Sequence, residues 1–285
     1  MRGKTVVITG GTSGIGQVAA EKLAAMGARM VVVARDQVRG EQTLAQLRRA
    51  GPGVAHTVHY ADLSRLNEMK RLAREIAAAE PRIDVLINNA GALFGSRQLT
   101  EDGLERTFAL NHMSYFVVTQ ALRERLVASA ARVVNTASDA HKGKSLDFSD
   151  LQSAGNYRGF NVYGKSKLCN ILFTSEMARR WAGTPVTVNC LHPGFVDTRF
   201  GDQSGGTFQT VVRVAKNFAI SPEKGAETIV YLASADEPDK ANGLYFYKCR
   251  PATPSKEARD ADAAKRLWEV SEQLSNSRVS TQHSA

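Results

Sequence analysis

The feature that most constrains this chain is a glycine-rich turn, Gly10-Gly11-Thr12-Ser13-Gly14-Ile15-Gly16. It stands directly after the β-branched run Thr5–Thr9 and directly before a helical pattern. Glycines let a backbone turn tightly and approach a ligand closely, and the helix that follows offers unpaired N–H groups and a partial positive charge to an anion. In that helix Ile15, Ala19, Leu23 and Met26 recur at helical spacing and give one apolar face. The expected ligand of this strand–helix junction is a pyrophosphate, cradled by Gly10, Thr12, Ser13, Gly14, Ile15 and Gly16.

The same alternation continues along the chain. Candidate strands are Thr5–Thr9, Met30–Ala34, Val54–Tyr60, Val85–Asn88, Arg132–Thr136, Val186–Leu191 and Leu244–Tyr247. Candidate helices begin near Gly14, Gln37, Ser64, Glu101, Val162, Pro222 and Lys256, with Thr100 and Ser221 placed as N-caps. Strands that are apolar without alternation, separated by helical periods, predict a parallel α/β sheet covered on both faces. There is no internal repeat and no Pro-rich linker, so a single domain is expected over 1–274, with a polar, disordered tail over 275–285.

Composition narrows the function classes. With 285 residues, 43% hydrophobic and 23% charged, the chain can bury a large sheet without a metal or disulfide staple. Its cysteines, Cys169, Cys190 and Cys249, are far apart and show no paired spacing, which suggests small core side chains in a reducing compartment. No metal-like spacing of ligands is present either. Met1–Lys4 runs at once into the first strand, and no apolar stretch approaches the ~18 residues of a membrane span, so a soluble, cytoplasmic protein is expected. The 37 Lys and Arg against 28 Asp and Glu leave a net charge of +9. The basic residues are scattered among acidic ones, so an anionic cofactor and a solvated surface explain them better than nucleic acid does.

The turn reads Thr9-Gly10-x-x-x-Gly14-x-Gly16, which resembles the short-chain dehydrogenase/reductase family. That resemblance implies a Rossmann-type, doubly wound parallel sheet and a nicotinamide dinucleotide. Ala34 and Arg35 follow the second strand where an acidic residue would grip a ribose 2′-hydroxyl. Arg35 suits a 2′-phosphate and favours NADP(H), while Asp36 leaves NAD(H) open. Asp62-Leu63 resembles the family's adenine-contacting pair, and Asn88-Asn89-Ala90-Gly91 its motif beside the cofactor. Pro193-Gly194-Phe195-Val196-Asp197-Thr198 resembles its nicotinamide-side loop, with Pro193, Gly194, Val196 and Thr198 as contacts. Each of these segments follows a predicted strand C-terminus, where open α/β sheets bind ligands.

Tyr163 and Lys167, four apart, share one face of a predicted helix. They match the family's Tyr-x-x-x-Lys, which implies that Tyr163 is the acid or base of a hydride transfer and that Lys167 tunes it and holds the nicotinamide ribose. A phenol near its ordinary pKa of ~10 is a poor base at neutral pH. A neighbouring ammonium and the oxidised nicotinamide's charge would lower it. The resemblance also assigns Ser138 to the substrate oxygen and Asn111 to a water in the proton relay, completing a catalytic set of Asn111, Ser138, Tyr163 and Lys167.

The similarity runs from Lys4 to about Leu274. Within the family, the stretches Tyr163–Thr174, Val186–Gly194, Phe148–Leu151 and Ala264–Glu269 are similar to the retinol dehydrogenase-like branch, which includes the WW-domain oxidoreductase. The branch implies a hydrophobic alcohol interconverted with its aldehyde or ketone, and a homodimer or homotetramer through the helices starting near Glu101 and Val162. The segment Asp139–Val162 is expected to rim the pocket, and Phe200–Phe218 to form a substrate lid or pack in the core. His141 and His192 are expected to be non-catalytic. His56 and His59 are expected to face one side of a strand, as packing or surface groups. The competing function is a non-catalytic dinucleotide sensor, for which an intact catalytic set has no use.

Overall fold

A computed structural model of the chain describes residues 1–194, 220–237 and 241–276. Its strands are β1 (Thr5–Thr9), β2 (Arg29–Ala34), β3 (Thr57–Tyr60), β4 (Val85–Asn88), β5 (Arg132–Thr136), β6 (Thr187–Leu191), β7 (Tyr245–Tyr247) and β8 (Arg250–Ala252). They form one sheet in the order β3-β2-β1-β4-β5-β6-β7-β8. Every pairing is parallel except β7 with β8. The strand order reverses between β1 and β4, the crevice where a doubly wound sheet receives its ligand.

Helices α1 (Gly14–Ala25), α2 (Gln37–Ala50) and α3 (Leu66–Ala79) follow the first three strands. After β4 come the single turn α4 (Arg106–Phe108), a π turn (Ala109–Met113), α5 (Ser114–Ala121) and α6 (Arg123–Ala128). Then follow α7 (Gly159–Arg180), α8 (Pro222–Ser234) and α9 (Ala261–Asn276). Alternate residues of β1 feed two cores. Val6 and Ile8 pack with Leu23 of α1, Leu47 of α2 and Ile229 of α8, while Val7 joins Leu72 of α3, Phe116 of α5 and Leu172 of α7. All three β1 residues are fully buried, which explains why the strand shows no polar alternation.

Several boundaries differ from the expectations. Residues 101–105 are not helical: the Thr100 hydroxyl accepts the Leu104 N–H, and Glu105 is the N-cap, its carboxylate accepting from Thr107 and Phe108. α7 begins three residues before Val162, and α3 begins at Leu66, whose N–H is taken by Asp102. The expected strand Val54–Tyr60 shortens to β3, which pairs with β2 alone. His56 precedes it, buried, accepting the Met30 N–H, whereas His59 points to Glu75 of α3. The two histidines are three residues apart and face opposite ways, as strand parity requires. Ser221 caps α8 as expected.

β8 was not foreseen. It closes a two-residue hairpin in which Lys248 and Cys249 have φ of 49° and 59°, so neither glycine nor asparagine signals the turn. Cys249 consequently sits in a turn, while Cys169 and Cys190 are core residues. No helix among the described residues is long and apolar enough to cross a membrane.

Candidate active site

The C-terminal ends of β1, β4 and β5 meet in a hydrogen-bonded seam. The Thr9 hydroxyl accepts the N–H groups of Asn89 and Ala90 at 3.0 and 3.1 Å. Asn89 returns a bond to the Gly10 carbonyl at 3.1 Å and accepts from the Thr136 hydroxyl at 3.2 Å. Gly10 has a φ of 66°, and a Cβ there would lie 2.8 Å from the Ala90 Cα. At Gly16 a Cβ would fall 2.3 Å from the Gly10 carbonyl oxygen. These two glycines are therefore required by the protein's own packing, which seats α1 tightly against the turn.

α2 and α8 are capped by Asp36 and Ser221, but Ser13 at the N-cap of α1 makes no side-chain capping bond. The first turn of a twelve-residue helix thus directs N–H groups and its positive dipole end outward, with no side-chain acceptor among the described residues. A nucleotide pyrophosphate fits this donor set.

Beyond β2, Arg35 is exposed, and Asp36 spends an oxygen on the Arg39 N–H at 2.8 Å. Asp62 accepts from both the N–H and the hydroxyl of Ser64. Burial pushes the Asp62 carboxyl up, but those bonds and the charges of Arg35 and Arg106 outweigh it and hold it below the usual range. Leu63 is buried beside it. An open groove of about 210 Å³ runs past Asp62, Ser64, Gln98 and Arg106, and none of the four expected catalytic residues lines it.

Those four gather at the other side of the switch point. Asn111 lies in the π turn, fully buried. Its side chain brackets Ala92, accepting the N–H at 2.9 Å and donating to the carbonyl at 3.0 Å, and also donates to the Ser166 hydroxyl at 2.9 Å. With both amide hydrogens donated and its oxygen accepting the Ala92 N–H, Asn111 ties the Gly91–Ala92 turn to α7. Gly91 lies so close that a Cβ would be 3.2 Å from the Asn111 oxygen and 3.4 Å from Lys167 Nζ.

Tyr163 and Lys167 stand one turn apart on α7, the lysine Nζ 5.6 Å from the tyrosine ring centroid. Lys167 donates to the Thr136 carbonyl at 2.9 Å. Burial drives its pKa down to about 7. Burial pushes the Tyr163 phenol up from its ordinary value, against the opposing effect of a hydrogen bond with the Ser138 side chain. Burial is thus the dominant influence on Tyr163 in the chain by itself. Ser138 follows β5 and caps a 3-10 turn, its hydroxyl accepting from the Ala140 N–H at 3.2 Å.

Pro193 and Gly194 follow β6, where the buried His192 accepts the Gly194 N–H at 3.1 Å and stacks on Tyr247 at 4.1 Å. Burial lowers His192 to about 4, so it is neutral. Val196, Thr198 and the stretch Phe200–Phe218 lie outside the described residues. Thr9, Thr136 and His141 were not singled out as site residues in the sequence. Only Thr9, adjoining the glycine turn, had a local signal.

An open α/β sheet with a glycine turn at its switch point and a Ser-Tyr-Lys cluster beside it defines a dinucleotide-dependent oxidoreductase of the Rossmann class. The sequence pattern described as short chain dehydrogenase matches residues 4–208, and the chain belongs to that family of oxidoreductases, whose retinol dehydrogenase members act on CH–OH groups with NAD(P). It is 40% identical to retinol dehydrogenase 14 of Homo sapiens, over 95% of this chain and 86% of that one. It is equally 40% identical to DnrU of Streptomyces sp. (strain C5), a candidate daunorubicin C-13 ketoreductase, over 94% of this chain and 91% of the relative. Among solved structures, a Pseudomonas aeruginosa RhlG/NADP complex superposes with a TM-score of 0.70 at 28% identity, over 86% of this chain and 94% of that one.

Proposed function

We propose that this protein is an NADP(H)-dependent oxidoreductase that interconverts a hydrophobic alcohol with its aldehyde or ketone, with Tyr163 as the proton-transfer group. The convergence of Ser138, Tyr163 and Lys167 beside the turn at Gly91 carries this reading, since a protein that only sensed a dinucleotide has no use for it. The nicotinamide supplies the hydride and, when oxidised, a positive charge. In the reductive direction Tyr163 donates its phenolic proton to the carbonyl oxygen as the alcohol forms, and Ser138 donates a hydrogen bond to that oxygen. Lys167, poised near pH 7, returns a proton towards Tyr163. With both amide hydrogens committed to the Ala92 carbonyl and the Ser166 hydroxyl, Asn111 can hold a relay water only through its oxygens, the main-chain carbonyl or the second lone pair of Oδ1.

Two observations support the choice of cofactor and substrate. Asp36 is committed to capping α2, which leaves Arg35 as the side chain suited to a 2′-phosphate. Phe160, about half exposed, stands one helical turn before Tyr163 with the two ring centroids 6.5 Å apart, an apolar wall for a lipophilic substrate. The retinol dehydrogenase and ketoreductase relatives point the same way.

Titration of NADPH and NADH by nucleotide fluorescence, followed by reduction of retinal, tests the assignment. NADPH is expected to bind more tightly, and Arg35→Ala to weaken it by about 10- to 100-fold, the worth of a charge-assisted phosphate contact. Tyr163→Phe is expected to remove turnover with nucleotide affinity unchanged. Binding of neither nucleotide, or turnover surviving in Tyr163→Phe, overturns the reading.

A further inference from the structure

We infer that His141 is a positioning residue: its ring fixes the main chain of Ser138 and ties it to the segment that follows β8. This role rests on the reading of Ser138 as the hydroxyl that meets the substrate oxygen. His141 is fully buried. Its Nδ1 lies 2.6 Å from the Ser138 carbonyl oxygen, and its Nε2 lies 3.1 Å from the backbone nitrogen of Ser255. A carbonyl only accepts and a backbone N–H only donates, so the ring carries one proton, on Nδ1, and is neutral. A second proton on Nε2 would point at the Ser255 N–H. Burial favours the same state, joined by Lys142 and opposed by the Ser138 carbonyl and by Asp139 and Glu257.

The geometry shows why Ser138 benefits from such a hold. It lies where β5 has ended and a single 3-10 turn begins. The turn's own bond, from the His141 N–H to the Ser138 carbonyl, is long at 3.3 Å, whereas the imidazole reaches the same oxygen at 2.6 Å. The ring therefore sets the orientation of the Ser138 peptide, from which the hydroxyl reaches towards Tyr163. The ring edge is itself braced on Tyr245, with centroids 5.4 Å apart. An apolar side chain of similar size would fill the volume but leave a buried carbonyl and a buried N–H without that partner. Small displacements of a group that contacts the reacting oxygen cost large factors in rate.

Two substitutions separate positioning from tethering. His141→Asn places its amide nitrogen near the Nδ1 position, keeping the donor to Ser138 and dropping Ser255. His141→Gln reaches the Nε2 position, keeping an acceptor for Ser255 and dropping Ser138. With retinal and NADPH as probes, His141→Gln is expected to lose about tenfold or more in kcat with KM within about threefold. His141→Asn is expected to stay within about threefold of the parent, and both are expected to bind NADPH with parent affinity. Nitrogen-15 NMR of the parent's imidazoles should show the Nδ1–H tautomer for His141. Equal losses in the two variants, a better Gln variant, or an Nε2–H tautomer overturns the inference. A parent that binds NADPH but reduces no carbonyl instead overturns the functional reading, and the tautomer then decides the question for His141.

Discussion

Lys167 is the residue at which this fold works against itself. Its ammonium is almost fully buried, donating to the Thr136 carbonyl and lying 5.7 Å from the Tyr115 ring centroid. Burial takes its pKa from an ordinary 10.5 down to about 7. Between those values the unfolded chain binds a proton that the folded chain does not, so stability rises with pH from about 7 to 10.5. Well below pH 7 both states are protonated, and the full cost of burying the charge is felt. Lys167→Met removes that cost, and the Thr136 carbonyl retains the Asn170 amide at 3.3 Å and the Tyr115 hydroxyl at 3.4 Å. The variant is expected to be more stable by about 1–3 kcal/mol at pH 7 in urea unfolding, with the gain shrinking towards pH 10 and with no turnover. A variant less stable than its parent at pH 7 would show that the Thr136 bond outweighs desolvation.

At the scale of elements, legibility followed how local the determining contacts are. The Gly10–Gly16 turn, the strands of the parallel sheet and the Tyr163–Lys167 pair could be read because glycine geometry, strand burial and helix period are written in neighbouring residues. Residues 101–105 could not: they make a turn closed by the Gly103 N–H on the Thr100 carbonyl, placed by Glu105 reaching Thr107 and Phe108 and by Gln152, far along the chain, accepting the Glu105 N–H. His141 was legible only as a histidine, because its partner Ser255 is more than a hundred residues away. The hairpin of β7 and β8 was hidden by its turn residues, and this has a measurable consequence. Lys248 and Cys249 hold left-handed backbone, which costs a side-chain-bearing residue about 1–2 kcal/mol and glycine almost nothing. Cys249→Gly is expected to raise unfolding stability by about 0.5–1 kcal/mol, less than the full strain because glycine also frees the unfolded chain and the Sγ contact with Thr228 is lost, while the bond from the Cys249 backbone N–H to the Thr228 hydroxyl stays. Destabilisation in chemical denaturation would mean that the Thr228 contact dominates.

For the molecule as a whole, the arrangement of α9 bears on assembly. On α5, Tyr115 and Thr119 reach the strands, and on α7 Asn170 and Thr174 do the same. Phe116 and Phe173, each one residue away from that inward row, lie about 100° round their helices. Trp268 of α9 packs on both, with ring centroids 5.1 and 5.8 Å away. His112 in the π turn bonds Ser271 at 2.8 Å, with both side chains fully buried, and Arg180 of α7 lies over the Trp268 ring at 4.9 Å. The expected dimer or tetramer would use these same two helices, but the chain's own final helix already covers the seam between them. Burying two phenylalanines and a tryptophan intramolecularly carries no cost of bringing a second molecule to the face, so a partner seated on this face would have to displace α9. Light scattering on the eluting protein is therefore expected to return the mass of one chain at micromolar concentration. Twice that mass, with the Trp268 fluorescence still that of a buried indole, would show that subunits meet on another face and would overturn the monomer. Twice that mass with an exposed indole would overturn it by showing that α9 yields its place to a second copy.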